Sequence, residues 1–232
     1  MGPKNLPVCR KGTRNYTFAP NMQNKFPLQS NIKNIIFDLG GVILNIDYNL
    51  TAAAFKKLGL EDFDEKYSQA TQSRLFDKFE TGDISPEEFR KELKTYIGDS
   101  VSDADIDAAW NAMLLDLPTE RIELLKNLKS NYRLFLLSNT NAIHHKAYLQ
   151  AMEITYGNSD FCGVFEKQYL SFQVGLRKPG KEIFEMVLQE NNLIPSETLF
   201  IDDSVQHVEG AAETGITAYH LQPVESILDF FN

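Results

Sequence analysis

The sequence predicts an α/β protein in which a doubly wound parallel sheet carries an inserted all-helical cap. Short apolar runs recur, each closing on polar or glycine residues, the pattern of strands buried on both faces. Helical stretches separate most of these runs, so the strands lie parallel with right-handed crossovers. One gap between runs is long and reads as helix almost throughout, which places an insert after the first strand.

Taken in order, residues 1–31 hold Pro3, Pro7, Pro20 and Pro27 among polar residues with no apolar period. They read as a flexible N-terminal arm, within which Met22 offers an alternative start. Asn34-Ile35-Ile36-Phe37-Asp38 is the first strand, stopped by Gly40-Gly41. Residues 48–116 form the helical cap, leaving 32–47 and 117–232 as the α/β core. Inside the cap, Ser85-Pro86-Glu87-Glu88 starts a helix with a Ser N-cap, Pro at N1 and Glu at N3. Ser102, with Asp105 three residues on, starts another. The second strand is Arg133 to Ser138, Tyr169 to Phe172 is a further one, Thr198 to Asp202 another, and Ile216 to Leu221 the last. Helices are expected at 118–130, 141–152, 180–191 and 205–214.

The 232 residues are enough to bury a core without covalent staples. No run of about 18 apolar residues is present, so no membrane-spanning helix is expected. The net charge of −9 argues against a nucleic-acid partner, which would need a basic face. Charge is uneven: Lys4, Arg10, Lys11, Arg14 and Lys25 face no acid over residues 1–31. Cys9 and Cys162 are too few for a disulfide framework, and no signal-peptide core is seen, so a cytoplasmic protein is expected. No protein partner is implied.

Ligands of open α/β sheets sit beyond the carboxyl ends of the strands. Those ends carry Asp38, then Ser138 and Asn139, then Asp202 and Asp203, with Lys178 in a loop before Pro179. The order and contexts resemble the haloacid dehalogenase superfamily, a fold with a Rossmann-like core. Four motifs carry the resemblance: Ile36-Phe37-Asp38-Leu39-Gly40-Gly41-Val42, Leu137-Ser138-Asn139-Thr140, Arg177-Lys178-Pro179 and Phe200-Ile201-Asp202-Asp203-Ser204. It runs from about Ile35 to the C-terminus and looks closest to the α-D-glucose-1-phosphate phosphatase-like subgroup.

The resemblance implies a magnesium-dependent phosphatase acting on a small phosphorylated metabolite. Asp38 would be the nucleophile, forming an aspartyl-phosphate. Lys178 would offset the charge of phosphate and nucleophile, and Ser138, Asn139 and Lys178 would hold the phosphate. Mg2+ would bind Asp38, the Gly40 carbonyl and Asp203, with Asp202 one step further out. Two readings stay open for Ser138, which could instead cap the helix from 141.

One departure matters. Family members often carry a second acid two residues after the nucleophile, where this chain has Gly40. Without that acid the leaving group must depart as a better oxyanion or take its proton from water, and the first favours a sugar 1-phosphate. Asp47 could substitute, or cap the helix beginning at Tyr48. His144, His145, His207 and the Glu80-to-Asp83 loop are open: each is a site residue or plain structure. Trp110 is expected in the cap core. The rival to an enzyme is a non-catalytic or weakly active sugar-phosphate-binding protein. A response-regulator-like phosphoacceptor has its acidic pair before the phosphorylated Asp, and a metal-free dehalogenase would not need Asp202-Asp203.

Overall fold

The computed structural model describes residues 30–59, 74–156, 161 and 163–231. The expectations for residues 1–29 and for Cys9 and Cys162 lie outside the described residues. Of the arm, 30 and 31 are described, and Asn31 donates from Nδ2 to the Ser196 carbonyl at 2.6 Å.

Five strands form one parallel sheet: β1 (Asn34–Phe37), β2 (Arg133–Ser138), β3 (Lys167–Leu170), β4 (Thr198–Asp202) and β5 (Thr217–His220). Their order is β3-β2-β1-β4-β5. The chain fills one side of β1, then returns to fill the other, as a doubly wound sheet does. The side chains alternate between two covered faces. Ile35, Phe37, Leu134 and Leu136 pack with α5 (Thr119–Leu128), α6 (Ala142–Tyr156) and α10 (Ile227–Phe231). Ile36, Phe135, Leu137 and Phe200 pack with α8 (Lys181–Glu190) and α9 (Val205–Ala212). Burial on both faces is why the strands read as unbroken apolar runs.

Four helices lie between β1 and α5 among the described residues: α1 (Tyr48–Lys57), α2 (Leu75–Glu80), α3 (Pro86–Ile97) and α4 (Asp103–Asn111). Local chemistry starts three of them. Asp47 Oδ1 accepts from the Asn49 N–H at 2.9 Å, so Asp47 is the cap of α1. Ser85 and Glu88 form a reciprocal capping box at α3, with Pro86 at N1. Ser102 Oγ accepts from the Asp105 N–H at 3.1 Å at the head of α4. Each such cap stabilises its helix by about 1 kcal/mol. These helices share an apolar core of their own, in which Phe79 stacks on Phe89 at 4.1 Å between ring centroids and Trp110 is buried.

The structure differs from the sequence expectation at the third strand. β3 ends at Leu170, and Ser171 to Val174 form the short helix α7. The Ser171 hydroxyl donates to the Thr140 carbonyl and accepts the Thr140 N–H, both at 2.9 Å. That pair ties the chain to the loop after β2 and turns it out of the sheet, a long-range bond with no local signature.

Ile143 of α6 joins the apolar core of the helical insert, and His144 stacks on Trp110 at 5.1 Å. His144 Nε2 lies 3.1 Å from the Trp110 carbonyl, and its Nδ1 lies 3.1 Å from Asn141 Nδ2. Both contacts are satisfied by the neutral Nε2–H tautomer: Nε2 donates and Nδ1 accepts. Burial, opposed by the Trp110 bond, pushes this imidazole down to about 4. A depressed base contributes stability that is present above its unfolded value near 6.5 and lost as pH falls through 4. Acidification from pH 6.5 to 4 is expected to cost up to about 3 kcal/mol through this residue alone. Urea unfolding against pH checks it; a His144→Gln variant with the same acid slope would refute the assignment.

Candidate active site

The register of the sheet builds the site. Phe37 lies opposite Leu136 on one side and Ile201 on the other, so Asp38 and Asp202 emerge abreast at the carboxyl end. The Asp38 N–H donates to the Ile201 carbonyl at 3.0 Å, which extends the ladder by one bond. Lys178 reaches the same point from the loop before α8. It is wholly buried, and its Nζ lies 2.8 Å from Asp38 Oδ1 and 2.6 Å from Asp202 Oδ2. The sequence set of strand-end residues is therefore brought together at one spot.

Asn139 sets the path of that loop. Its Nδ2 donates to the Lys178 carbonyl and its Oδ1 accepts the Lys178 N–H, both at 2.9 Å. Through these bonds the Asn139 side chain holds the lysine backbone beside the cleft that it also lines. Ser138 is buried at the base of the cleft. It is not the cap of α6: Asn141 Oδ1 accepts the Ile143 and His144 N–H groups at 3.1 and 3.0 Å.

Charge is unbalanced here. Asp38, Asp202 and Asp203 bring three carboxylates against the single ammonium of Lys178. Burial pushes the Asp38 carboxyl up to about 7, with Lys178 pulling it back and Asp202 and Asp203 adding repulsion. Burial would raise Asp202 as well, but Lys178 and then His207 outweigh it and hold it at about 2. For Lys178, burial opposes the charge, and the two carboxylates overcome it and raise its value. Asp203, on the rim, is raised by its surroundings and by the charge of Asp202.

Carboxylate oxygens of Asp38, Asp202 and Asp203 all lie within 4.8 Å of one another. This donor set is oxygen only, which suits a hard divalent cation such as magnesium, and a cation there relieves the repulsion that raises Asp38. Gly41 keeps the approach open. Its φ of +75° favours glycine, and a Cβ there would lie 2.1 Å from Asp203 Oδ2 and displace that carboxylate.

His207 is a residue whose role the sequence left undecided. Its Nδ1 donates to Asp202, 3.0 Å from Oδ1 and 3.1 Å from Oδ2, while Ser204 N–H also donates to Oδ1 at 2.8 Å. It therefore orients Asp202. His145 packs on Tyr148 and Phe172. The carboxylates open into a cleft of about 490 Å³, which Glu80, Met113 and Arg177 also line. That volume fits a small organic phosphate. Among the described residues no helix is long and apolar enough to cross a membrane.

Comparison with known proteins points the same way. Residues 32–215 match the model of the haloacid dehalogenase-like hydrolases. The chain is 35% identical over 190 residues to D-ribitol-5-phosphate phosphatase of Bacteroides thetaiotaomicron, covering 81% of this chain and 91% of that one. A family enzyme of the same organism, solved with magnesium and inorganic phosphate, superimposes with a TM-score of 0.79 at 40% identity, over 87% of this chain and 100% of that one. A predicted hydrolase of the family from Porphyromonas gingivalis gives 0.74 at 33% identity, over 84% and 94%.

Proposed function

We propose a substrate class and a division of labour for this chain, which belongs to the haloacid dehalogenase-like hydrolase family and is one of its magnesium-dependent phosphatases. The substrate is a small sugar or polyol monophosphate. The observation that carries the reading is the Asp38 carboxylate, held by Lys178 at 2.8 Å and facing a cleft of about 490 Å³.

In this reading Asp38 attacks phosphorus through the oxygen not held by Lys178, and an aspartyl-phosphate forms. Lys178 stays protonated throughout and offsets the charge that builds on the phosphoryl oxygens. Ser138 donates to one of those oxygens, and Asn139 keeps Lys178 in place. Asp38, Asp203 and the Gly40 carbonyl would hold magnesium, with Asp202 acting through Lys178 and His207. Bound there, the cation supplies further neutralisation of the phosphoryl charge.

Two leaving groups compete. The relative named for D-ribitol 5-phosphate supports the terminal phosphate of a polyol, and we take this as the leading substrate. Gly40 supports the second, a sugar 1-phosphate, whose anomeric oxygen leaves more easily without a proton. Values of kcat/KM for ribitol 5-phosphate, glucose 1-phosphate, glucose 6-phosphate and an aryl phosphate, with magnesium, decide between them. A preference of tenfold or more, about 1.4 kcal/mol in transition-state binding, for ribitol 5-phosphate supports the first. The same preference for glucose 1-phosphate supports the second, and hydrolysis of none removes the substrate class.

Metal dependence is a separate check. Exhaustive chelation is expected to abolish hydrolysis, and magnesium to restore it. Asp203→Ala is expected to raise the magnesium needed for half-maximal rate by at least about tenfold, since one anionic ligand of a hard cation is gone. An unchanged requirement would exclude Asp203 as a ligand.

A further inference from the structure

We propose that Glu80, from the helical insert, protonates the leaving-group oxygen in place of the acid absent at Gly40. The proposal rests on the phosphatase reading of Asp38.

Gly40 offers no carboxyl, and a Cβ there would point at the apolar Ile46 Cδ1, 3.1 Å away. Among the carboxyl and imidazole groups that line the cleft, Asp38 and Asp203 are taken by the nucleophile and metal roles, and the histidines are bonded. His144 has both ring nitrogens bonded, and His207 serves Asp202. Asp47 is engaged by the Asn49 amide groups. Glu80 remains. It ends α2 and lines the cleft into which Asp38 and Asp203 also open. Its Oε2 is buried 2.9 Å from Arg177 Nη2, yet no hydrogen bond to it is formed among the described residues. A quarter of the side chain remains open.

Two features bind Glu80 to the core. Arg177, which pairs with Glu80 and Asp77, directly precedes Lys178, so one loop serves nucleophile and acid. The turn after Glu80 presses on α7: a Cβ on Gly82, at φ +74°, would lie 2.3 Å from the Phe172 carbonyl oxygen. Glu80 is thus tied to the core as well as to the insert. Burial raises the Glu80 carboxyl; Arg177 opposes it, Asp77 of the same helix adds to it, and Lys178 opposes it more weakly. The protonated form needed for donation is favoured accordingly.

The step balances as follows. Asp38 Oδ bonds to phosphorus and the bridging P–O bond breaks. Its electron pair stays on the leaving oxygen, which takes the Glu80 proton and departs as an alcohol. Glu80, now a carboxylate, then accepts a proton from the water that attacks the aspartyl-phosphate. The P–O(Asp38) bond breaks, releasing hydrogen phosphate and returning both residues to their starting state.

The experiment compares a polyol phosphate with p-nitrophenyl phosphate on wild type and Glu80→Gln. The variant is expected to lose at least about 100-fold in kcat/KM on the polyol phosphate and under about threefold on the aryl ester, whose phenolate leaves unaided. The wild-type polyol profile falls as pH rises through the Glu80 value, and the variant loses that fall. Equal losses on both esters, or none, overturn the proposal. If Glu80→Gln does not fold, substituted phenyl phosphates on wild type decide: rates nearly independent of phenol acidity support a proton donor, and a steep rise with acidity overturns it. Aryl hydrolysis that survives Asp38→Asn would instead defeat the phosphatase reading itself.

Discussion

Asp38→Asn is expected to lower turnover by at least about 10³-fold on every phosphate ester while the protein stays folded. The amide is nearly the same size, so the end of β1 and its bond to Ile201 remain. An amide cannot attack phosphorus to give an acyl phosphate. Stability moves in the opposite direction to activity. Because burial and neighbouring carboxylates raise Asp38 to about 7, its ionisation in the folded chain is unfavourable. A raised carboxyl contributes stability below its unfolded value and loses it as pH climbs through 7. In chelator at pH 8, Asp38→Asn should therefore melt no lower than wild type, with Lys178 still paired to Asp202 at 2.6 Å. Retention of more than a few per cent of the rate would remove Asp38 from the chemistry, and a large drop in melting temperature would show that its charge is structural.

Lys178→Met is expected to damage both. The side chain is fully buried and is the cation that Asp38 and Asp202 share. Removing it leaves two carboxylates abreast without the cation they share, which costs about 3–5 kcal/mol when a buried pair loses one member. For a chain of this length that lowers the melting temperature by roughly 10 °C. Activity should fall by at least about 10²-fold, since the charge facing the phosphoryl group is lost. Adding Asp202→Asn to Lys178→Met should recover most of the stability and none of the rate. An unshifted melting temperature in Lys178→Met would mean that the carboxylates are already neutral without the lysine.

Much of this was legible in the chain. β1 could be read because Ile35, Ile36 and Phe37 are buried on both faces and so form an apolar run whatever their neighbours. The capping box at Ser85 and Glu88 and the cap at Ser102 are local chemistry, complete within four residues. Asp38, Lys178, Asp202 and Asp203 stood out because a charge ending a buried strand or entering a buried loop needs a reason. The end of β3 did not follow the same logic. Ser171 leaves the sheet because of Thr140, 31 residues away, and nothing between Tyr169 and Phe172 records that bond. The tie from Asn139 to the Lys178 backbone is equally invisible locally, because the groups that it bonds belong to residue 178.

The sequence by itself determined the sheet, its doubly wound order, the strand-end acids and the helical character of the insert. Burial patterns, caps and turn residues act over a few positions and are written locally. Only the tertiary structure decided where the insert meets the core. It set Arg177 against Asp77 and Glu80, pressed the Gly82 turn on Phe172, directed His207 to Asp202 and left Glu80 facing the cleft. These contacts join residues as much as 100 positions apart. Their energies come from desolvating a charge or closing a backbone gap once both partners are in place. Such terms depend on distance in space, so Gly40 could announce a missing acid while the chain alone could not say which residue stands in for it.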